Sequence, residues 1–137
     1  MSGTAAQADE ALALAKRMGI GKGITVQEVG YDTDTDDLVA DAVEAGCGEP
    51  AVDEDYGGVV DMVVLWWRDD DGDLADGLVD AKSPLADNGV IWLLTPKHGR
   101  PGAIEPADVA DAVTTSGLRR TTSVTLAQWQ GLRLVSR

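Results

Sequence analysis

The chain of 137 residues carries 24 acidic side chains against 11 lysines and arginines, a formal charge of −13. Such a balance repels nucleic acid and anionic membrane at long range, and the length suits one domain over residues 1–137 with its own core. The single cysteine, Cys47, excludes an internal disulfide and a cysteine-built zinc site, and it suits a reducing, cytoplasmic compartment.

No apolar run reaches the length of a membrane span, and the start lacks the basic and then apolar pattern of a secretory signal. Residues 1–18 read as an N-terminal helix or a partly disordered arm. The helical part is Ala5 to Met18, with Leu12, Leu14 and Met18 apolar and Gly19 closing it. Ile24 to Gly30 alternates apolar and polar residues, the pattern of a half-buried strand. Asp36 to Ala45 places Leu38, Val39, Ala42 and Val43 at helical spacing, closed by Gly46, and Cys47 to Gly58 reads as a loop. Val59 to Trp67 is apolar on both faces, as a central parallel strand is.

A helix over Asp73 to Leu85 follows, with Leu74, Leu78, Ala81 and Leu85 on one stripe. Gly89 to Leu94 is a second buried strand, Thr95 to Gly102 a loop, and Pro106 to Thr115 a helix with Val109, Ala110 and Val113 inward. Thr121 to Leu126 and Leu132 to Ser136 read as an antiparallel pair. The order implies an α/β, three-layer Rossmann-like sandwich of about five strands, mostly parallel with a C-terminal antiparallel pair. In such sheets ligands sit beyond the carboxyl ends of the strands, near the switch point. Three loops meet there, at 31–35, 68–72 and 95–102.

Two resemblances attach to quoted segments. DMVVLWW, PLADNGVIWLLTP, SGL and the closing strand pair resemble the second half of a class I S-adenosylmethionine methyltransferase. That resemblance implies a truncated methyltransferase-like fold, since those enzymes carry two further strand–helix units before the strand that Val59 to Trp67 matches. Over nearly the whole chain, AKRMGIGKGITVQEVG, VVDMVVLWW, GVIWLLTPK and SGLRRTTSVTLAQWQGLRLVSR resemble a small bacterial, mainly actinobacterial, domain family of unknown function. This second resemblance implies a fold and no mechanism.

Four aspartates crowd residues 32–37. In the methyltransferases the first strand ends in an acid, an apolar residue and then glycines at alternate positions. Glu28, Val29 and Gly30 match, but Asp32 and Asp34 stand in the later glycine places. Glycine serves there because backbone must approach the cofactor closely, and aspartates add bulk and negative charge. As a calcium loop the stretch fails at position 6, which is Asp37, and at position 12, which is Val43. The second acidic run, Asp69 to Asp73, fails likewise at Leu74. Helix initiation accounts for most of these acids, with Thr33 or Asp34 capping one helix, Asp36 and Asp37 in its first turn, and Asp71 and Asp73 serving the next likewise. GIGKGI, residues 19–24, lacks phosphate-loop spacing and precedes a strand.

Lys97, His98 and Arg100 form a basic cluster in an acidic chain, suited to one anionic group. No nucleophile–base–acid set is visible. Trp66, Trp67 and Trp92 belong to buried strands, Trp66 and Trp67 on opposite faces, whereas Trp129 falls in a turn as an exposed interface anchor. The expectation is therefore a non-catalytic binding or regulatory module without a cofactor. Its binding face is Tyr31, Asp32, Asp34, Trp67, Asp69, Thr95, Lys97, His98 and Arg100. It takes a protein partner or small anionic ligand, not nucleic acid or membrane, and Leu132 to Ser136 serves as an edge for homodimer pairing. The alternative is an enzyme on a reduced methyltransferase scaffold, with Asp34, Asp69 and Asp71 holding a divalent metal or cationic substrate.

Overall fold

The computed structural model describes residues 5–137, so the first four residues of the N-terminal arm lie outside the described residues. The chain forms an α/β fold of four helices and a five-stranded mixed sheet. In chain order the elements are α1 (Ala5–Met18), β1 (Val26–Val29), α2 (Asp37–Cys47), β2 (Val60–Trp66), α3 (Leu74–Lys82), β3 (Leu85–Pro96), α4 (Pro106–Thr115), β4 (Leu118–Thr125) and β5 (Trp129–Ser136). The sheet order is β1-β2-β3-β5-β4. β1, β2 and β3 run parallel, and β5 pairs antiparallel with both β3 and β4.

Alternation along the two central strands divides the core. Met62, Val64 and Trp66 of β2 and Val90, Trp92 and Leu94 of β3 share one cluster with Leu14 and Met18 of α1 and Val39, Ala42 and Val43 of α2. Val63, Leu65, Ile91 and Leu93 point the other way, into a cluster with Leu74, Leu78 and Ala81 of α3 and Val109, Ala112 and Val113 of α4. Strands with helices on both faces must be apolar throughout, which is why these two lack polar alternation. The Trp92 indole N–H donates to the Met18 carbonyl at 2.9 Å, joining the end of α1 to the centre of the sheet.

Several expected boundaries move, each for a local reason. Leu12 is 44% exposed, because the buried stripe of α1 is Ala11, Leu14, Ala15 and Met18. α2 passes through Gly46 and ends on Gly48, whose φ of 90° closes it in the left-handed region. Gly46 serves a close approach instead: a Cβ there would lie 2.5 Å from the Ile20 carbonyl oxygen. α3 stops at Lys82 because Pro84 disfavours helix before it, so Leu85 opens β3 and leaves the helical stripe. In α4 Ala112 is inward and Ala110 exposed. β4 and β5 begin earlier than the apolar spacing suggests, at Leu118 and Trp129. β5 lies inside the sheet, so the edge strand is β4 and not Leu132 to Ser136.

The expected loop before β2 contains one residue of strand. Val52 bridges Gln27 in parallel on the outer side of β1, with Glu28 N donating to Val52 O at 2.9 Å and Val52 N donating to Val26 O at 2.8 Å. This placement explains why α2 and α3 cover opposite faces. Same-handed crossovers change face only where the chain reverses its direction across the sheet. After α2 the chain steps outward to Val52 and then returns past β1 to β2, so the switch point lies between β1 and β2.

Trp92→Phe keeps an aromatic side chain but removes the indole N–H and part of the buried ring volume, and it leaves the Met18 carbonyl without that donor. A loss of about 1–3 kcal/mol is expected in urea unfolding, with an unchanged denaturant slope; an unaltered midpoint would contradict it.

Candidate functional site

The carboxyl ends of β1 and β2 open toward one crevice at the switch point, and Arg68 spans it. Its Nη1 donates to the Gly30 carbonyl at 2.8 Å, and its Nε donates to the Asp34 carboxylate at 3.1 Å while Nη2 reaches the other oxygen. The Asp71 carboxylate accepts from the Arg68 backbone N–H at 2.8 Å and lies 3.4 Å from Nη1. The guanidinium carbon stands 5.1 Å from the centre of the Trp129 ring, a cation–π contact. Planar, forked donors suit this bidentate geometry better than an ammonium would.

Behind Arg68 stand two tryptophans. Trp129 is 2% exposed, against the expected exposed anchor, because it opens β5 and packs edge-on to Trp66 at 4.8 Å. Its indole N–H donates to the Asp34 carbonyl at 3.1 Å, so Asp34 is held by both side chain and backbone. The Trp66 N–H donates to the Glu28 carboxylate at 2.8 Å. Burial pushes the Glu28 pKa up; the Trp66 hydrogen bond opposes that shift, and the nearby charge of Asp37 adds to it. Hydrogen bonding from Arg68 holds the Asp34 carboxyl below the usual aspartate range.

Gly30 completes the crevice. Its φ is 84°, and a Cβ there would lie 2.4 Å from the Trp66 carbonyl oxygen, so only glycine fits. Its N–H donates to the Glu54 carboxylate at 3.1 Å. Glu54 follows the one-residue strand at Val52, so an acid does stand at the end of a second strand position.

The remaining acids have local partners. Asp32 builds its own turn, accepting from Thr33 N at 2.7 Å and, through its carbonyl, from the Thr35 hydroxyl at 2.8 Å. The caps fall on Asp36, which accepts from Leu38 N, and Asp73, which accepts from Asp76 N, in place of Thr33, Asp34 and Asp71. Arg68 lies between Asp34 and Asp71, and among the described residues no three acidic, histidine or cysteine side chains gather as a metal-sized group.

The expected binding face divides. Asp34 and Asp71 are engaged by Arg68, while Asp69 is exposed and its N–H donates to Gly102 O at 2.9 Å. Tyr31 is 61% exposed. Trp67 lies against Gly77 of α3, where a Cβ would come within 2.6 Å of its ring, and lines two acid-rimmed grooves beside that helix. Thr95, Lys97 and His98 belong instead to a separate groove of about 550 Å³ between α4 and the β4–β5 pair. Arg100 does not line that groove; its backbone closes the turn after Lys97. Sequence reasoning missed Arg68, Glu28, Glu54 and Trp129 as site residues. The available signal was Arg68 itself, one cation directly after a buried strand and directly before three aspartates.

Known proteins bear on this geometry in two ways. A family described as "Protein of unknown function (DUF3052)" matches residues 15–137. Uncharacterized proteins of Mycobacterium bovis and Mycobacterium tuberculosis are 50% identical over 132 residues, which is 96% of this chain and 84% of theirs. Among solved structures, the ribosomal protein L11 methylase of Lactobacillus delbrueckii superposes with a TM-score of 0.64 at 14% identity, covering 98% of this chain and 80% of that one. Magnesium protoporphyrin IX methyltransferase of Synechocystis, solved with bound SAM, gives 0.61 at 14% identity over 96% and 79% of the two chains. The glycopeptide N-methyltransferase MtfA gives 0.61 at 12% identity over 96% and 90%. At these identities the likeness is one of fold.

The crevice does not fit S-adenosylmethionine on a glycine-rich first loop. The Gly30 N–H is already bonded to Glu54 and its carbonyl to Arg68, so neither backbone group of that glycine is left to meet a cofactor, and Asp34 adds a carboxylate beside it.

Two outcomes test the site. Arg68→Ala is expected to cost about 2–4 kcal/mol, since a covered cation and several charged hydrogen bonds are lost, and Arg68→Lys is expected to recover only part; equal stability of all three proteins in denaturant would refute the bridging role. For Glu28 the folded pKa lies above the unfolded one, so the folded state binds more protons between the two values. Stability from this group is complete below the ordinary glutamate range and declines as pH rises through the folded pKa. The stability of Glu28→Gln relative to the parent should therefore rise from pH 4 to pH 7, and a difference that stays flat would speak against it.

Proposed function

The chain belongs to the DUF3052 family, and we propose that it is a non-catalytic cytoplasmic binding module on a three-layer, Rossmann-like, methyltransferase-like domain. The observation that carries this reading is the bridge made by Arg68. A catalytic crevice at a switch point keeps room for a substrate or cofactor beyond the strand ends. Here that room is taken by a side chain of the chain itself, hydrogen bonded on both walls and stacked on Trp129. The interactions are structural in kind: they tie β1, α2, β2 and β5 together.

Recognition falls to the other side of the carboxyl edge. Among the described residues Lys97 and His98 have no carboxylate partner, and the ion pairs all belong to Arg68. Cations left unpaired in a chain of charge −13 are the natural place for an anionic group of a ligand or partner. An enzyme gathering a divalent metal with Asp34 and Asp71 draws less support, because both carboxylates already hold Arg68.

Calorimetry with S-adenosylmethionine and S-adenosylhomocysteine is the direct test. Neither is expected to bind. A micromolar dissociation constant for either, abolished by Gly30→Ala in a protein that still folds, would overturn the non-catalytic reading.

A further inference from the structure

We infer that the basic groove between α4 and the β4–β5 pair binds a fatty carboxylate, its head among the arginines and its acyl chain along the floor. This deepens the proposal of anion recognition at Lys97 and His98 and rests on it. Three features of the groove lead there.

The floor is aliphatic. Ile104, Val109 and Val113 form the α4 side, and Leu118 and Leu132 form the sheet side. Register places Ser123 beside Leu132 and Arg120 beside Leu134, so these β4 side chains share the face that α4 leaves uncovered. No phenylalanine, tyrosine or tryptophan lines the groove. A nucleobase would have only the His98 imidazole at the rim to stack on, whereas a methylene chain meets its own kind along the floor. The volume of about 550 Å³ is within the roughly 300–1,000 Å³ usual for small-molecule sites.

The rim is cationic. Lys97, His98, Arg120 and Arg137 line it, Arg119 stands at its border with its register on the opposite face of β4, and no aspartate or glutamate lines it. Two other grooves contrast with it. The groove beside β1 is lined by Glu54, Asp71, Asp73, Asp76 and Asp80, and that between α3 and α4 includes Asp69, Asp108 and Asp111; neither contains a lysine or arginine. Arg119, Arg120 and Lys97 make no ion pair with any described carboxylate, and the Arg137 Nε donates only to the Leu118 carbonyl. A carboxylate head supplies the missing partner, and an arginine fork suits it.

The edge itself argues against a peptide strand. β4 carries a register shift between Arg120 and Thr122 and two adjacent arginines, devices by which edge strands resist the addition of another strand. A single-chain amphipath needs no such pairing.

The test is titration of the full-length protein with dodecanoate, decanoate, octanoate and acetate, with inorganic phosphate and an acidic decapeptide as comparators. One saturable site is expected for dodecanoate, with affinity growing up to roughly fourfold per added methylene until the groove is filled. The double variant Lys97→Glu/Arg120→Glu should weaken dodecanoate at least tenfold, while Lys16→Glu on α1 should leave it unchanged. Acetate or phosphate binding as tightly as dodecanoate would overturn the acyl site and leave anion recognition standing. Failure of every anion at this groove would sink both. A peptide that binds where dodecanoate does not, or indifference to the charge reversals, would also overturn the inference. Circular dichroism of both variants checks that a lost affinity is not a lost fold.

Discussion

A guanidinium whose side chain is 13% exposed must find partners for its N–H groups, and the domain is arranged so that Arg68 finds them. One partner is the carbonyl at the end of β1, one is the carboxylate that precedes α2, and one lies in the turn before α3. The ring beneath it belongs to the first residue of β5. Two stretches distant in sequence, 30–34 and the start of β5, are thus registered against a single side chain and its own turn. Gly30 can have no Cβ because the Trp66 carbonyl sits against it, and Trp129 can be buried because its N–H reaches the Asp34 carbonyl. Each of these local conditions follows from closing the crevice.

The closure also decides how the fold likeness is to be understood. A methyltransferase-like sheet places its most exposed backbone groups at the switch point, where a ligand would otherwise satisfy them. In this chain Glu54 takes the Gly30 amide and Arg68 takes its carbonyl, so both backbone groups of that residue are met internally. Charge is separated along the same edge. Acids surround β1 and α3, bases gather near β4, and the two regions are held apart by the central strands.

Much of the fold was legible in the residues because it depends on short-range patterns. α1 keeps its expected limits, β2 and β3 announce themselves through runs apolar on both faces, and Trp66 and Trp67 diverge as alternation requires. What escaped depends on long-range pairing. Trp129 looks like a turn residue from its neighbours, and its burial comes from a strand 63 positions earlier, at Trp66. Leu132 to Ser136 looks like a closing edge, but β4 folds outside it. Counting positions sets the acidic run at residues 32–37 apart from the EF-hand pattern, yet nothing local says that Asp34 meets Arg68 across the crevice.

Val52 carries a lesson about how such sheets are built and shortened. Two backbone hydrogen bonds at one residue keep the chain on the outer side of β1 and preserve the reversal that puts α2 and α3 on opposite faces. Asp53 and Glu54 still bond Gln27 and Gly30 at the first strand, and the length of chain is freer only after them. Whole strand–helix units could be spliced in between positions 55 and 60 while every pairing among β1, β2 and β3 stayed in register. In this architecture the outer strands are modular, and the smallest module that still turns the chain around is a single valine.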